Sequence, residues 1–284
     1  MAKVTTRGSS SKSGKARAVP ISNWQIIKEQ IKYIDLLIEV CDARAPQSSR
    51  HPKAKEIFAN KPILLVLNKA DLADKEVLAN YVKILSLNNK VIALSIMSKQ
   101  HKQAVLKLIR ELTEEKRKAL AKKGINSPVV RISVIGMPNV GKSSLINWLS
   151  GHRIAKVGNK PGVTRGPQWI KIDSGLELLD TPGILPRENL DKRIHNKLAI
   201  LNLLNYASDE TEALANEALN FLEANHPLAI KDYLDTDENI NLEALAKKRN
   251  FLSSGGKYDV NRAANTLLLD LRSGKLGGIF LDKT

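Results

Sequence analysis

One glycine-rich segment places a lysine and a serine where they could bind phosphate. The stretch "GMPNVGKSS" begins at Gly136 and fits G-x-x-x-x-G-K-[ST], with Gly141, Lys142 and Ser143 at the defining positions. Glycines let backbone N–H groups turn towards phosphate oxygens, and a following helix N-terminus adds partial positive charge. The lysine can reach the outer phosphates, and the serine hydroxyl can bind Mg²⁺. The segment predicts a loop that holds a nucleoside triphosphate.

Three residues further along the chain have the positions that phosphate and metal chemistry would need. Asp180 follows the apolar run "LELL", and an acid at the end of such a strand can hold the Mg²⁺ shell. Gly183, in "DTPG", can present its backbone N–H to the terminal phosphate. Thr164, in "PGVT", is predicted to be a switch threonine that binds Mg²⁺ when a triphosphate is present. We therefore predict Lys142, Thr164 and Gly183 as catalytic residues.

The segment "NKAD", residues 68–71, has side chains that could recognise a base. A carboxylate such as that of Asp71 can accept from both the ring N–H and the exocyclic amine of guanine, and adenine cannot supply that pair. Asn68 is predicted to bond the other edge of the base, and the Lys69 stem to cover its face. The loop after the next strand, "SIMS", is predicted to complete the base pocket. A guanine nucleotide is the predicted ligand.

The predicted site draws on both parts of the sequence. Its guanine-nucleotide ligands are Asn68, Lys69, Ala70, Asp71, Ser95, Met97, Ser98, Asn139, Val140, Gly141, Lys142, Ser143, Ser144 and Gly183. Its Mg²⁺ ligands are Ser143, Thr164 and Asp180.

The elements that must position these residues follow from the hydrophobic pattern. Buried strands are predicted at "YIDLLIEVCDA", "PILLVLN", "KVIALSI" and "VVRISVIG", with helices between them. The stretch "KQAVLKLIRELTEEKRKALAKKG" is predicted to be one long helix closed by Gly124, and "HPKAKEIFAN" a shorter helix. The stretch "WIKIDSGLELLDTPG" is predicted to be a hairpin that turns at Ser174 and Gly175. This alternation predicts an α/β fold with a mainly parallel sheet and helices on both faces.

The motifs stand in an unusual order, with the base-reading segment ahead of the phosphate loop. Joining the usual ends of a P-loop GTPase domain and opening it before "IDLLIEV" gives this order, and such circular permutation need not change the sheet. The stretch "KKGINSP" is a plausible position for the join.

Three regions are predicted along the chain. Residues 1–20 are basic, contain no acid and cannot build a core, so they are expected to form a disordered arm. Residues 21–186 are expected to form the permuted P-loop domain. Residues 187–284 carry apolar residues at helical spacing and are expected to form an all-helical domain.

The charge distribution bears on the partner. The net charge is +16, yet residues 190–284 hold 12 Lys and Arg against 14 Asp and Glu. Residues 1–189 therefore hold 33 basic residues against 15 acidic ones. A polyanion is the expected partner, with nucleic acid favoured over a role of the charge in solubility alone.

Composition also limits the cellular compartments in which the protein is expected. The apolar runs are far too short to span a bilayer, and no apolar signal-peptide core follows Met1, so no membrane partner is expected. The single cysteine, Cys41, excludes an internal disulfide and fits a reducing compartment. It is predicted to be a buried strand residue rather than a nucleophile. We expect a cytoplasmic protein, with an organelle matrix or stroma as the alternative because the basic arm has features of a presequence.

Taken together, the motifs resemble those of the circularly permuted ribosome-assembly GTPases, and among them the ribosome biogenesis GTPase A family. The resemblance is carried by "DARAPQSSRHP", "NKAD", "GMPNVGKSSLIN", "PGVT", "LLDTPGIL" and "KKRNFLSSGGKYDVNRAANTLLLDLRSGKLG". It implies a GTPase, expected to be a monomer, that binds the large ribosomal subunit late in assembly and is stimulated by it. It further implies that the helical domain contacts rRNA and that Asn139 holds a K⁺ ion beside the phosphates.

The sequence departs from the family pattern at the residue that positions the attacking water. Ile184 stands where many GTPases have a glutamine, and the family's Gly-His stretch before the first strand has no counterpart in "KARAVPISNWQIIKEQIKYID". His51 is not assigned that role and is predicted to begin a helix. Two hypotheses follow: a GTPase that times its release from a pre-ribosomal particle, or a non-catalytic, GTP-gated RNA-binding scaffold.

Overall fold

The structure is a computed structural model that describes residues 31–52, 54–58, 61–151, 169–179, 190–235 and 239–282. Within these residues the strands, numbered along the chain, are β1 Leu36–Asp42, β2 Ile63–Asn68, β3 Lys90–Ala93, β4 Val130–Gly136, β5 Trp169–Asp173 and β6 Leu176–Leu179. They form one six-stranded sheet in the order β3-β2-β1-β4-β6-β5.

The sheet is parallel except at one edge, as predicted. Strand β1 lies between β2 and β4, and Val40 is paired with Val66 on one side and Gly136 on the other. Every residue of β1 is buried, Cys41 included, which fits a strand covered on both faces. Strands β5 and β6 are antiparallel, with a turn that contains Gly175 at φ 70°, so the predicted hairpin is confirmed.

Helices cover both faces of the sheet. In the first part of the chain they are α1 Ala54–Ile57, α2 Lys75–Ser86, α3 Lys102–Leu112, α4 Glu114–Lys122 and α5 Lys142–Ser150. Leu78 and Leu85 of α2 pack in the apolar cluster that contains Leu65 and Leu67 of β2. The α3 residue Ile109 packs instead in the main core. Alternate residues of β2 therefore point to opposite apolar layers.

The prediction of one long helix after β3 is wrong in one respect, because the helix is interrupted at Thr113. The backbone there leaves the helical region at φ −112° and ψ 7°, and α3 ends and α4 begins on either side. The buried Thr113 hydroxyl donates to the Ile109 carbonyl, a local bond that competes with helix continuation. Gly124 closes α4 at φ 82°, as expected.

The segment that begins at His51 forms less helix than predicted. Helix α1 starts at Ala54, whose N–H donates to the His51 carbonyl, so His51 lies in the preceding turn. The arm at residues 1–20 lies outside the described residues.

The last third of the described chain is helical. Its helices are α6 Lys192–Ile200, α7 Thr211–Asn225, α8 Pro227–Leu234, α9 Leu242–Lys248 and α10 Val260–Ser273. Asp259 caps the start of α10 by accepting from the Arg262 N–H, and Gly274 ends it at φ 81°. The predicted boundary between residues 186 and 187 falls outside the described residues and stays a prediction.

The chain returns to the sheet after α10. Ile279 forms a parallel bridge with Ala73, which lies beyond the end of β2. The N–H of Ile279 donates to the Leu72 carbonyl, and the N–H of Asp74 donates to the Ile279 carbonyl, both at 3.2 Å. None of the described helices is long and apolar enough to cross a membrane.

Candidate guanine-nucleotide site

The predicted phosphate loop and the predicted base-reading segment meet at one edge of the sheet. The first follows β4 and the second follows β2, and these parallel strands end at the same edge on either side of β1. From β1 the sheet is extended by β2 on one side, and from β4 by β6 on the other. A crevice at such a reversal of strand order is where open α/β sheets bind ligands.

The phosphate loop is packed so closely against its neighbours that a Cβ at either of its two glycines would clash. Gly136 has φ 151°, and a Cβ there would lie 2.3 Å from the Val40 carbonyl oxygen. Gly141 has φ 104°, and a Cβ there would lie 2.4 Å from Nδ2 of Asn68. Glycine at these two positions therefore lets the phosphate loop contact both β1 and the base-reading segment. It also permits the turn itself.

Replacing Gly141 with alanine is expected to displace Asn68 from the phosphate loop. Because the bond between Asn68 and Val140 would be lost, GDP binding should weaken by about tenfold or more. Gly124 provides the matched control, because it also has a positive φ of 82° but nothing within 4 Å of a built Cβ. Gly124→Ala should cost about 1 kcal/mol of stability from backbone strain and leave GDP affinity unchanged. Calorimetric GDP titration would check both, and equal affinity in the two variants would contradict this contact.

Lys142 is held over the centre of the phosphate loop. Its Nζ donates to the carbonyl oxygens of Gly136 at 3.0 Å and Met137 at 2.8 Å. An ammonium has three donors, so one remains for a phosphate oxygen. Burial lowers the pKa of Lys142 from its usual value, and a bound phosphate would favour the charged form again.

Helix α5 begins at Lys142. Ser143 and Ser144 lie in its first turn, where free N–H groups favour an anion. Val140, just before the helix, is buried, and its carbonyl accepts from Nδ2 of Asn68 at 2.7 Å. The predicted phosphate-binding residues from Val140 to Ser144 thus lie on one loop and one helix start.

Asn68 connects the three loops of the site. Besides its bond to Val140, its Oδ1 accepts from the Ile96 N–H at 3.2 Å. We expected Asn68 to bond the edge of the base, whereas the structure shows it joining the phosphate loop to the loop after β3. A direct contact with the base stays a prediction. The Ile96 N–H was not anticipated, because a backbone partner leaves no signature in residue type.

The base-reading segment turns sharply after Asn68. Lys69 has a left-handed backbone at φ 62°, and residues Ala70–Leu72 form a single 3₁₀ turn. The Asp71 side chain is exposed, and the described part of the chain gives its carboxylate no hydrogen-bond or ion-pair partner. Its acceptor oxygens are therefore available to a ligand.

The loop after β3 lies beside this segment, as predicted. The N–H of Ala70 donates to the Leu94 carbonyl at 3.2 Å. Within the loop, the Ser98 N–H donates to the Ser95 carbonyl, and the Ser98 hydroxyl accepts from Gln100 N–H. Met97 is 91% exposed, which suits a side chain that covers a ligand on binding.

Asp42, which ends β1, was not predicted as a site residue although it contacts one. Its buried Oδ2 accepts from Nζ of Lys69 at 2.9 Å, and its Oδ1 accepts from Nε of Arg44 at 2.9 Å. Burial raises the pKa of Asp42, but the bonds and charge of Arg44 and the charge of Lys69 outweigh it, so the pKa is lowered. The "DARAP" stretch had served only as a family marker, without a role for its acid or its arginine.

Asn139, the residue associated with K⁺, has a left-handed backbone at φ 57°. Its Nδ2 donates to the Asn202 carbonyl at 2.8 Å, which joins the phosphate loop to the segment after α6. The bond uses the amide nitrogen, so the side-chain oxygen remains for a cation. Three predicted residues, Thr164, Asp180 and Gly183, lie outside the described residues, as does Ile184.

Comparisons with known proteins support the fold and the type of site. Residues 131–235 match a family described as 50S ribosome-binding GTPase. Ribosome biogenesis GTPase A of Bacillus cereus is 36% identical over 257 residues, with 88% of this chain and 87% of that protein covered. Its counterpart in Priestia megaterium is also 36% identical, with coverage of 90% and 91%. The crystal structure of GNP-bound YlqF from Thermotoga maritima has a TM-score of 0.63 and 25% identity, with 91% of this chain and 97% of that chain covered.

Proposed function

We propose that this chain, which belongs to the ribosome biogenesis GTPase A family, uses GTP hydrolysis to time its release from a precursor of the large ribosomal subunit. The observation that carries the proposal is the Asn68–Val140 bond, which joins a base-reading segment to a phosphate loop 72 positions away. The chain is a GTPase by family, and this bond supports the assignment of the guanine-nucleotide site to these two segments.

Binding is assigned to groups on both segments of the site. The third donor of Lys142 and the N–H groups at the start of α5 hold the phosphates. The Asp71 carboxylate accepts from guanine, and Asn68 keeps the loops in register. Lys142 and Asn68 are already held by hydrogen bonds, so little ordering of these two side chains is needed on binding.

Two ions belong to the proposal. Ser143, Thr164 and Asp180 would hold Mg²⁺, which supplies charge neutralisation between the terminal phosphates when bound. The donor set fits, since Ser143 provides a hydroxyl beside the phosphate loop and Mg²⁺ is commonly held by one or two protein oxygens together with phosphates and waters. The Asn139 oxygen would bind K⁺, which offsets transition-state charge.

The partner follows from the family and from charge. Relatives are named for ribosome biogenesis, and residues 1–189 carry 33 basic side chains against 15 acidic ones, which suits rRNA. We place the protein in the cytoplasm as a monomer. The non-catalytic scaffold is not favoured, because the relatives are named GTPases.

The test is single-turnover GTP hydrolysis with and without large ribosomal subunits, in K⁺ and in Na⁺. We expect hydrolysis to be slow in the free protein and to rise by about tenfold or more with large subunits in K⁺, since a partner or cation that completes the site supplies the missing charge stabilisation. Small subunits are the control for an effect of RNA in general. No stimulation by large subunits in either salt would refute the proposal, and equal rates in K⁺ and Na⁺ would refute the K⁺ assignment.

A further inference from the structure

A buried ion pair holds Lys69 in place. Asp42 and Arg44 are both fully buried, and the Asp42 carboxylate accepts from the Arg44 N–H, Nε and Nη2. The same carboxylate accepts from Nζ of Lys69. A carboxylate with four donors around it has little freedom, so the Lys69 ammonium is tethered to the end of β1.

Arg44 is in turn held by hydrogen bonds to Arg272 and Leu281. Its Nη1 donates to the Arg272 carbonyl at 3.2 Å, near the end of α10. Its own carbonyl accepts from the Leu281 N–H at 2.6 Å. The residue that holds Asp42 therefore has bonds to two positions more than 200 residues away.

The C-terminal segment, defined here as residues 277–282, lies against the loop that contains Lys69 and against the loop after β1. Next to Ala73, Gly278 approaches so closely that a Cβ would lie 2.6 Å from the Ala73 carbonyl oxygen. At its end, the Asp282 carboxylate accepts from the N–H groups of Gln47 and Ser48 and pairs with Lys197 at 3.4 Å.

The helical part also reaches the phosphate loop. Arg272 donates through Nε to the Ile200 carbonyl and through Nη2 to the Ala199 carbonyl, and it stacks over Tyr206. The Asn202 carbonyl in the same stretch accepts from Asn139. The helical part thus contacts the loop after β1 through Arg272 and the phosphate loop through Asn202.

We propose that Asp42 and Arg44 are positioning residues for guanine-nucleotide binding, and that docking of the C-terminal segment holds them so that Lys69 covers the base. Displacing this segment would then loosen Arg44, release Lys69 and weaken nucleotide binding. The inference rests on the proposed role of Lys69 at the base. The helical part is expected to contact rRNA. Through the C-terminal segment, a change in the position of the helical part could then alter nucleotide affinity.

The test is a double-mutant cycle on GDP affinity in the full chain. Asp282→Asn removes the charge that anchors the segment, and Lys69→Met keeps the length of the stem but removes the ammonium. We expect Asp282→Asn to weaken GDP binding about fivefold in the wild-type background. In the Lys69→Met background the same change should weaken GDP binding by less than about twofold, because the effects of residues in one network are not additive.

Asp173→Asn is the matched control. Asp173 is an acid in an exposed ion pair with Arg110, at 2.9 Å, on the far edge of the sheet. It should leave GDP affinity unchanged in both backgrounds. Gly278→Ala is a second means of displacing the segment, through its contact with Ala73, and it should reproduce the effect of Asp282→Asn.

The outcomes separate the inference from the proposed function. Failure of the wild-type chain to bind GDP would refute the proposed site itself. Normal wild-type binding with no effect of Asp282→Asn or Gly278→Ala would overturn the inference. A loss that is equally large with and without the Lys69 ammonium would also overturn it, since a purely structural role of the segment predicts additivity. Thermal unfolding of each variant shows that binding is measured on folded protein.

Discussion

Lys142→Ala is expected to weaken binding of both GTP and GDP by about a hundredfold or more, the largest single effect that the structure predicts. The side chain supplies a charged donor over the phosphate loop, and such a bond to a phosphate is worth roughly 3 kcal/mol, or about a hundredfold in affinity. The donor that is lost is one that the loop already holds in position, because Nζ donates to the carbonyls of Gly136 and Met137.

The measurement is equilibrium titration with a fluorescent guanine nucleotide. Lys171→Ala is the control, because Lys171 is an exposed lysine of β5 in the same sheet, so its loss changes the net charge equally. If Lys142→Ala bound GDP within about twofold of the wild type, the assignment of the phosphate loop would be wrong.

Asp71→Asn is expected to reverse the choice of base, lowering GTP affinity and admitting xanthosine triphosphate. Xanthine has a carbonyl where guanine has its exocyclic amine, so a carboxamide donor matches it and a carboxylate does not. The combined change in the ratio of the two affinities should be about a hundredfold or more, since a site built for hydrogen bonding rejects a mismatched analogue strongly. The cost to folding should be small, because Asp71 is exposed.

Competition between the two triphosphates for the same protein measures this ratio directly. Asp74→Asn is the matched control, three residues further along. Asp74 caps α2 by accepting from the Val77 N–H, and asparagine caps a helix equally well, so selectivity should not change. An unchanged ratio in Asp71→Asn would show that another residue reads the base.

Much of the fold could be read from local pattern. Strand β1 is apolar except for Glu39 and Asp42 and is buried throughout, and the hairpin turns at Gly175, whose positive φ suits glycine. The order of the motifs predicted a permuted domain, and the strand order agrees, with the phosphate-loop strand β4 next to the first strand in the chain. These features depend on neighbours within a few residues or on motif positions, which a sequence displays directly.

Other features depended on contacts that no local pattern contains. The break at Thr113 arises from one hydroxyl bonding back to Ile109 in a stretch that is otherwise suited to continuous helix. The amide of Asn68 joins the Val140 carbonyl to the Ile96 N–H, two backbone partners that the sequence does not reveal, and its contact with the base stays a prediction. In both cases residue type allowed several partners, and packing selected among them.

The sequence by itself determined the phosphate loop, the base-reading segment, the alternating strands and helices, and the permuted order. Only the tertiary structure decided that Lys69 is held by Asp42 and Arg44, and that the C-terminal segment returns to hold Arg44. The physical reason is the range of the interactions. Hydrophobic periodicity and glycine-rich turns are imposed by adjacent residues, whereas a buried charge must find its partners wherever the folded chain brings them, here from positions 42 to 282.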